Sequence, residues 1–289
     1  MTPEFIFEVL KIVLVATTPL VIAGIGELVT EKSGVLNLGV EGMMLVGAVI
    51  AFIVLVITDS YTFAFLFAIL AGILMSVIFA FLVLILMSNQ VATGLALTIF
   101  GIGLSSMLGK EYIGTPIKGL SPWFFVFFSF LIVFLVSYFF YKTKTGLVLR
   151  AVGESHASAH SLGYNVLKVR FFSIIFGGAM CALSGSYISI CYAPMWQEGM
   201  TSGRGWIALA LVVFATWKPG RILIGAYIFG GVTILQMNLQ AFGIRLPGQL
   251  FTMSPYLATM IVLVIISSNR LRIKLSAPAS LTIPFFKGR

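Results

Sequence analysis

The feature that most restricts this chain is a succession of apolar runs, most of them close to 20 residues long and nearly free of charge, separated by short polar links. A hydrocarbon layer about 30 Å thick is crossed by about 20 residues of α-helix. Inside it every backbone N–H and C=O must find a partner within the protein. Nine runs meet that description: 5–25, 35–57, 61–87, 91–108, 123–141, 171–192, 203–217, 222–242 and 251–268. The seventh is short and flanked by glycines, which reads as a partial or broken helix. Composition agrees: 60% hydrophobic residues, 9% charged residues and a mean hydropathy of +1.10 leave too little polar surface to solvate a globule of 289 residues. The expectation is an all-α, polytopic helical membrane protein of about nine transmembrane helices, with residues 1–289 as a single transmembrane domain.

The longest polar interruption is 142–170, KTKTGLVLRAVGESHASAHSLGYNVLKVR. It carries Lys142, Lys144, Arg150, Lys168 and Arg170 against one acid, Glu154. Basic links stay in the cytoplasm, so this loop orients the rest. Threading the nine runs from it places 13 of the 18 basic residues on the inner side and four, Lys110, Lys118, Arg204 and Arg245, on the outer side. The frame puts the N-terminus outside and a basic segment, 269–289, in the cytoplasm, where it is expected to be disordered or surface-bound. It holds only if the short seventh run crosses. A net charge of +9 could suggest a nucleic-acid partner, but the basic residues lie mostly in short links beside apolar runs, where they orient spans and meet lipid head groups. The start, MTPEFIFEVLKIVL, lacks a basic leader and a small-residue cleavage site, so it reads as the beginning of a retained first span. Cys181 and Cys191 have no CxxC spacing and read as buried thiols.

Little in the chain resembles catalytic machinery. The nearest approach to a phosphate loop, GLSSMLGKE at 103–111, has one residue too many between its glycines and a glutamate where Ser or Thr would bind magnesium. His156 and His160 share a helical spacing, but a zinc site needs further ligands, and they read as solvated loop residues. No Ser/His/Asp set is spaced for catalysis, so no enzyme, no cofactor and no metal site are expected. Polar residues inside the apolar runs are more informative, because a charged group at depth is costly and faces a bundle interior or a cavity. Asn37 and Glu41 lie one turn apart in the second run. They read either as a structural hydrogen bond or cap for a neighbouring helix, or as part of a translocation route. Gln236, Asn238 and Gln240 place three amides in the eighth run, to line a route or bind helices together. Glycines cluster at 39, 42 and 47, at 101 and 103, and at 225, 230 and 231, as close helix packing requires. Trp123, Trp196 and Trp206 suit interfacial anchoring, although Trp196 and Trp206 could also touch an arriving ligand. In the basic loop, Gly146 to Gly153 leads towards a short helix with Glu154 in its first turn and Gly163 at its end. Such a helix is a knob for a partner's socket, or an ordinary connector.

Four segments in register resemble the permease subunits of bacterial ABC importers in the branched-chain amino acid, ribose and nucleoside group. They are TEKSGVLNLGVEGMMLVGA (30–48), NQVATGLALTIFGIGLS (89–105), TGLVLRAVGESHASAHSLGYNV (145–166) and GRGWIALALVVFATWKPGRILIGAYIFGG (203–231). With the spacing between them they cover about three quarters of the chain. The resemblance implies a type II-like ABC importer permease whose 142–170 loop is the coupling loop that docks on an ATP-binding subunit. The match covers Glu154, Ala157 and Gly163, and Arg150 and Gly153 are expected to belong to the same docking loop; Ser155-His156 departs from the family's Asn-Pro after the glutamate. The subgroup it resembles most is the shorter nucleoside-type permease. That implies an ATP-binding subunit, a second and longer permease, a substrate-binding protein or lipoprotein, and a nucleoside or simple sugar substrate. The plasma membrane is the expected location. Alternatives are a permease of the same group for branched-chain amino acids, and a proton-coupled secondary transporter acting alone through Glu41.

Overall fold

The structure, a computed structural model, describes the backbone of residues 3–241, four single positions (Met253, Leu257, Ile261 and Val264) and residues 277–286; side chains are described for Glu4, for residues 6–234 and at those later positions. The described elements are α1 (Pro3–Lys32), α2 (Val40–Thr58), α3 (Tyr61–Ala80), α4 (Gln90–Gly109), α5 (Trp123–Lys142), α6 (Lys144–Glu154), α7 (His156–Ser161), α8 (Val166–Tyr187), α9 (Arg204–Phe214) and α10 (Pro219–Ala241). α3 and α8 each run on into a π-helical turn, Phe81–Ile85 and Ile188–Tyr192. No strand occurs among the described residues. Among the described residues six helices, α1 to α5 and α8, are long and apolar enough to cross a membrane. The expected seventh span is an 11-residue helix, α9. At 1.5 Å per residue it is about 16 Å long, half of what a crossing needs. The expected ninth run, 251–268, lies outside the described residues apart from four single positions.

α1 is longer than its apolar run suggested and continues through Glu27 and Glu31, both buried. It also contains Pro19, which has no N–H to give the carbonyl of Val15. The hydroxyl of Tyr187 on α8 donates to that carbonyl at 2.9 Å, and Ser184 donates to the carbonyl of Pro19 at 2.7 Å. A helix that its own proline would weaken is thus completed by its neighbour, as a span away from water requires. Thr30 donates to the carbonyl of Ser173 at 3.1 Å. These three bonds set α1 and α8 antiparallel. α2 runs parallel to α8: Ser189 donates to the carbonyl of Ala48 at 2.9 Å, and Gly185 lies against Met44.

The two most enclosed spans are α1 and α2, 78% and 72% buried, whereas α4 and α5 are 28% and 39% buried; the first pair is the centre and the second the rim. The rim exposes Ile99, Met107, Phe124, Phe127 and Phe134, side chains suited to lipid rather than water. Two large apolar clusters account for most of the interior among the described residues. One joins α2, α3 and α8 through Met43, Phe52, Phe79 and Tyr187, and the other joins α1, α5, α9 and α10 through Ile25, Val136, Leu211 and Ile222. Glycine allows the central helices to touch. A Cβ at Gly42 would lie 2.7 Å from the Cα of Thr98, and one at Gly101 2.6 Å from the Cα of Gly42. The glycine-rich stretches are not uniform, since Gly103 and Gly231 face open space.

The ends of α1, α5 and α9, the starts of α6, α8 and α10, and the α3–α4 turn lie at one end of the bundle, here called the loop end, whereas α2 starts level with the middle of α8. Residues 277–286 lie there too. Of the basic segment expected to be disordered or surface-bound, these residues are folded against α6, α7 and the start of α8.

Candidate functional site

At the loop end, Thr143 opens α6 by accepting from the amide of Gly146 at 3.0 Å. Glu154 is the last residue of α6, not the first of a new helix, and is exposed. Ser155 then caps α7, its hydroxyl accepting from the amide of Ser158 at 3.2 Å. The Ser155-His156 pair that departs from the family's usual dipeptide therefore supplies a helix start of its own. α7 ends at Gly163, whose φ of +87° is the left-handed value glycine tolerates best. Around that turn Leu162 is 75% and Tyr164 45% exposed, so the tip presents two large apolar side chains to its surroundings. Ala157 is exposed beside them. Arg150 is half-buried with its guanidinium 5.2 Å from the centre of the Tyr141 ring. Gly153 is buried and faces inwards; a Cβ there would strike the carbonyl of Lys32 and come within 3.4 Å of Pro278. The five positions expected from sequence to form a coupling loop thus divide: Glu154, Ala157 and Gly163 sit on the outside, while Gly153 seats α6 on the bundle.

Beneath α7 lies a group that sequence reading counted only as loop charge. Arg170, fully buried in the first turns of α8, donates from Nε to the carbonyl of Ser33 at 3.2 Å and from Nη1 to the carbonyl of Ile283 at 3.0 Å. Its Nη2 lies 3.5 Å from the carbonyl of Ser280 and 3.5 Å from Nδ1 of His156. The amide of Ser280 donates to the carbonyl of Gly153 at 2.8 Å, and the Ser280 hydroxyl accepts from the amide of His156 at 3.2 Å. Phe285 is buried with Val152, Ala159 and Val166, its ring edge-on to His156 and His160 at 5.6 and 5.2 Å. Both histidines are therefore ring-packing partners of Phe285. Partial burial and the Arg170 guanidinium push the His156 imidazole below its ordinary value.

A second constellation lies deep in the bundle. α2 begins at Val40, so Asn37 is not on its first turn but in the link before it, where its side chain accepts from the amide of Gly39 at 2.9 Å and heads the helix. Glu41 is buried in the first turn of α2. Its carboxylate accepts from the hydroxyl of Thr201, from the amide of Gly203 at 2.9 Å and from the amide of Gly205 at 2.6 Å. Those donors form the N-terminus of α9, where the helix dipole favours negative charge. Of the two roles open to Glu41, this geometry is that of a cap for a neighbouring helix. At the other end of α9, Trp217 donates to Glu31 at 2.6 Å, and Thr216 and Trp217 both have left-handed φ, 49° and 54°. Glu27 accepts from the amide of Asn37 at 3.0 Å. α9 thus runs from a carboxylate level with the middle of α8 to one near the end of α1. The chain covers the distance from the far end of α8 to the loop end as a link rich in turns followed by half a helix.

Gln236, Asn238 and Gln240 occupy the last turns of the α10 backbone, and their side chains lie outside the described residues. Trp196 is buried against Gly109, whereas Trp123 and Trp206 are 47% and 39% exposed. The residues that sequence reasoning missed are Glu27, Glu31, Arg170 and 277–286. Glu27 and Glu31 fall in the polar link between the first two apolar runs, and only their spacing of four residues hints that α1 continues. The aromatic pair in IPFF was the one sign that the basic segment has something to bury.

Residues 9–267 match the family model described as branched-chain amino acid transport system, permease component. The chain is 36% identical to a putative glucose ABC transporter permease, TsgC13, of Haloferax volcanii, over 92% of this chain and 93% of the relative. It is 27% identical to the guanosine ABC transporter permease NupQ of Bacillus subtilis, over 98% and 99%. With the nucleoside ABC transporter permease NupC of Lactococcus lactis it shares 28% identity, over 86% and 89%. No solved structure matches the chain.

Proposed function

Because the chain belongs to the family of branched-chain amino acid transport permease components, we propose that it is the membrane subunit of an ABC importer for nucleosides or a related simple sugar. It is a multi-pass membrane protein and a transporter subunit, not itself an enzyme; ATP is hydrolysed by a separate ATP-binding subunit. The relatives named for glucose, guanosine and nucleosides support this substrate class over branched-chain amino acids. A proton-coupled carrier acting alone is not favoured.

The observation that carries the reading is the α6–α7 projection with its exposed tip at Leu162, Gly163 and Tyr164. A short helix held on the bundle by a buried glycine and ended by a left-handed turn is a rigid knob, and rigid apolar tips are what a partner's groove can grip. Arg150 and Glu154 add polar contacts at its edge. In this reading the loop end faces the cytoplasm, the N-terminus lies outside, and a second, longer permease completes the pathway. A substrate-binding protein or lipoprotein delivers solute to the far end. ATP binding in the partner shifts the pair of permeases between inward- and outward-open states through α6 and α7. Asn37 and Glu41 contribute to the route by fixing the shape of α2 and the half-helix α9 beside it, and Gln236, Asn238 and Gln240 supply amides to it.

Gentle solubilisation of the native membrane, purification of this chain by a tag and identification of its companions tests the proposal. Recovery of a P-loop ATPase and a second permease, with ATP hydrolysis stimulated by nucleoside or simple sugar, is the expected outcome. A chain recovered alone that takes up solute in liposomes without ATP would overturn it.

A further inference from the structure

Residues 277–286 make contact at several points of the loop end. Their backbone is held by Arg170 and Gly153, the Ser280 hydroxyl accepts from the amide of His156, and Phe285 is buried under α7. Thr282 and Pro284 form one wall of a 390 Å³ cavity whose other walls are Met87, Ser88, Asn89, Gln90 and Val91 of the α3–α4 turn. The segment therefore bridges α7 and the α3–α4 turn.

A strand of chain secured in this way has no need of further apolar side chains to stay in place, yet it carries two that are not used. Ile283 is 47% and Phe286 46% exposed, on either side of the buried Phe285. Met87, across the cavity, is 40% exposed. Together with Leu162 and Tyr164 they make a discontinuous apolar surface spread over α7, residues 282–286 and the α3–α4 turn. Hydrogen bonds fix residues 280–283 relative to α6, α7 and α8, which lowers the ordering cost of binding on that part of the surface.

We propose that residues 282–286 form the second half of the surface on which the ATP-binding subunit docks, and that Arg170 sets their position relative to α7. This rests on the importer reading above and deepens it: the partner grips a ledge as well as a knob. The occupant is argued from continuity. The segment packs directly on α7 through the His156 and His160 rings, so a protein seated on Leu162 and Tyr164 reaches Ile283 and Phe286 without leaving the surface. The segment also touches the ends of spanning helices, at Ser33 through Arg170 and at Val166 through Phe285, as a ledge beyond the lipid-facing rim does.

The test uses the complete complex, co-expressed with its ATP-binding and substrate-binding partners. In one arm the double variant Ile283→Asp, Phe286→Asp is compared with Leu162→Asp. Loss of both apolar contacts weakens retention of the ATP-binding subunit about tenfold, with permease yield and monodispersity unchanged. Retention lost with Leu162→Asp but intact in the double variant overturns the proposal and leaves the importer reading standing. Retention intact in both overturns the two together. A second arm does not depend on a disruptive variant. Phe286→Cys, in the otherwise native complex, is treated with a thiol-to-amine cross-linker. A cross-link to the ATP-binding subunit supports the ledge. A cross-link to the second permease, or quenching of a fluorophore at this position by brominated lipid with no cross-link, assigns the face elsewhere and overturns it.

Discussion

Glu41 and the three donors that meet it form a unit whose parts are ill matched to any other partner: a carboxylate is stable at a helix start, and a half-helix beginning inside a bundle needs its first amides satisfied. Replacing Glu41 with Ala strands buried donors at about 1–3 kcal/mol each. The expected result is a fall in the thermal unfolding midpoint together with loss of transport. Glu41→Gln, which keeps one acceptor oxygen, is expected to recover part of the stability. An unchanged midpoint in the Ala variant with transport abolished would place Glu41 in direct contact with solute instead. At Gly163 the constraint is local, because a side chain there meets open space but must adopt a left-handed backbone costing about 1–2 kcal/mol. Gly163→Leu is expected to reduce uptake about tenfold while leaving the protein in the membrane, read by transport assay against surface quantification. His156 titrates against its fold. Its imidazole is held below the ordinary value by burial and by Arg170, so the unfolded chain binds the proton more readily. Stability is unaffected above pH of about 6.5 and falls as pH drops from there towards the depressed folded value. An unfolding series from pH 8 to about 5 is expected to show this loss, and His156→Gln to flatten it.

Helices in this protein are positioned by what they lack as much as by what they bury. α2 and α4 meet through Gly42 and Gly101, each with backbone of the other helix within 2.8 Å of where a Cβ would be. Gly101→Leu forces the pair apart, an overpacking penalty of about 1–3 kcal/mol. Thermal unfolding in detergent is expected to drop, whereas Gly103→Leu, which faces open space two residues on, is expected to leave it unchanged. The same comparison explains why spacing alone could not sort the glycines: helical periodicity says which share a face, not which face meets a neighbour. α1 shows the limit from the other side. Its apolar run ends near Ile25, yet the helix continues for another two turns because Glu27, Glu31 and Thr30 find partners on the 33–39 link, α8 and the end of α9. Polar residues that would end a span in isolation are absorbed when the bundle supplies donors.

For the molecule as a whole, the nine-run frame puts α6, α7 and 277–286 on the cytoplasmic side and the α2–α3 turn at Asp59 outside. Single cysteines at Ser158 and at Asp59, labelled in intact cells by a membrane-impermeant thiol reagent, are expected to react only at the second position. The opposite pattern would invert the orientation. The sequence by itself determined that this chain is a helical membrane protein, because apolar runs of spanning length have no other way to satisfy their backbones, and four local segments carried the family. The ends of most spans were legible for the same reason. What only the tertiary structure decided lies where distant residues meet: that the seventh run is half a helix capped by Glu41, that Tyr187 completes α1 at Pro19, and that Arg170 ties residues 280–283 beneath α7. Each of these joins positions more than 100 residues apart, and a hydrogen bond between them leaves no periodic trace in either segment.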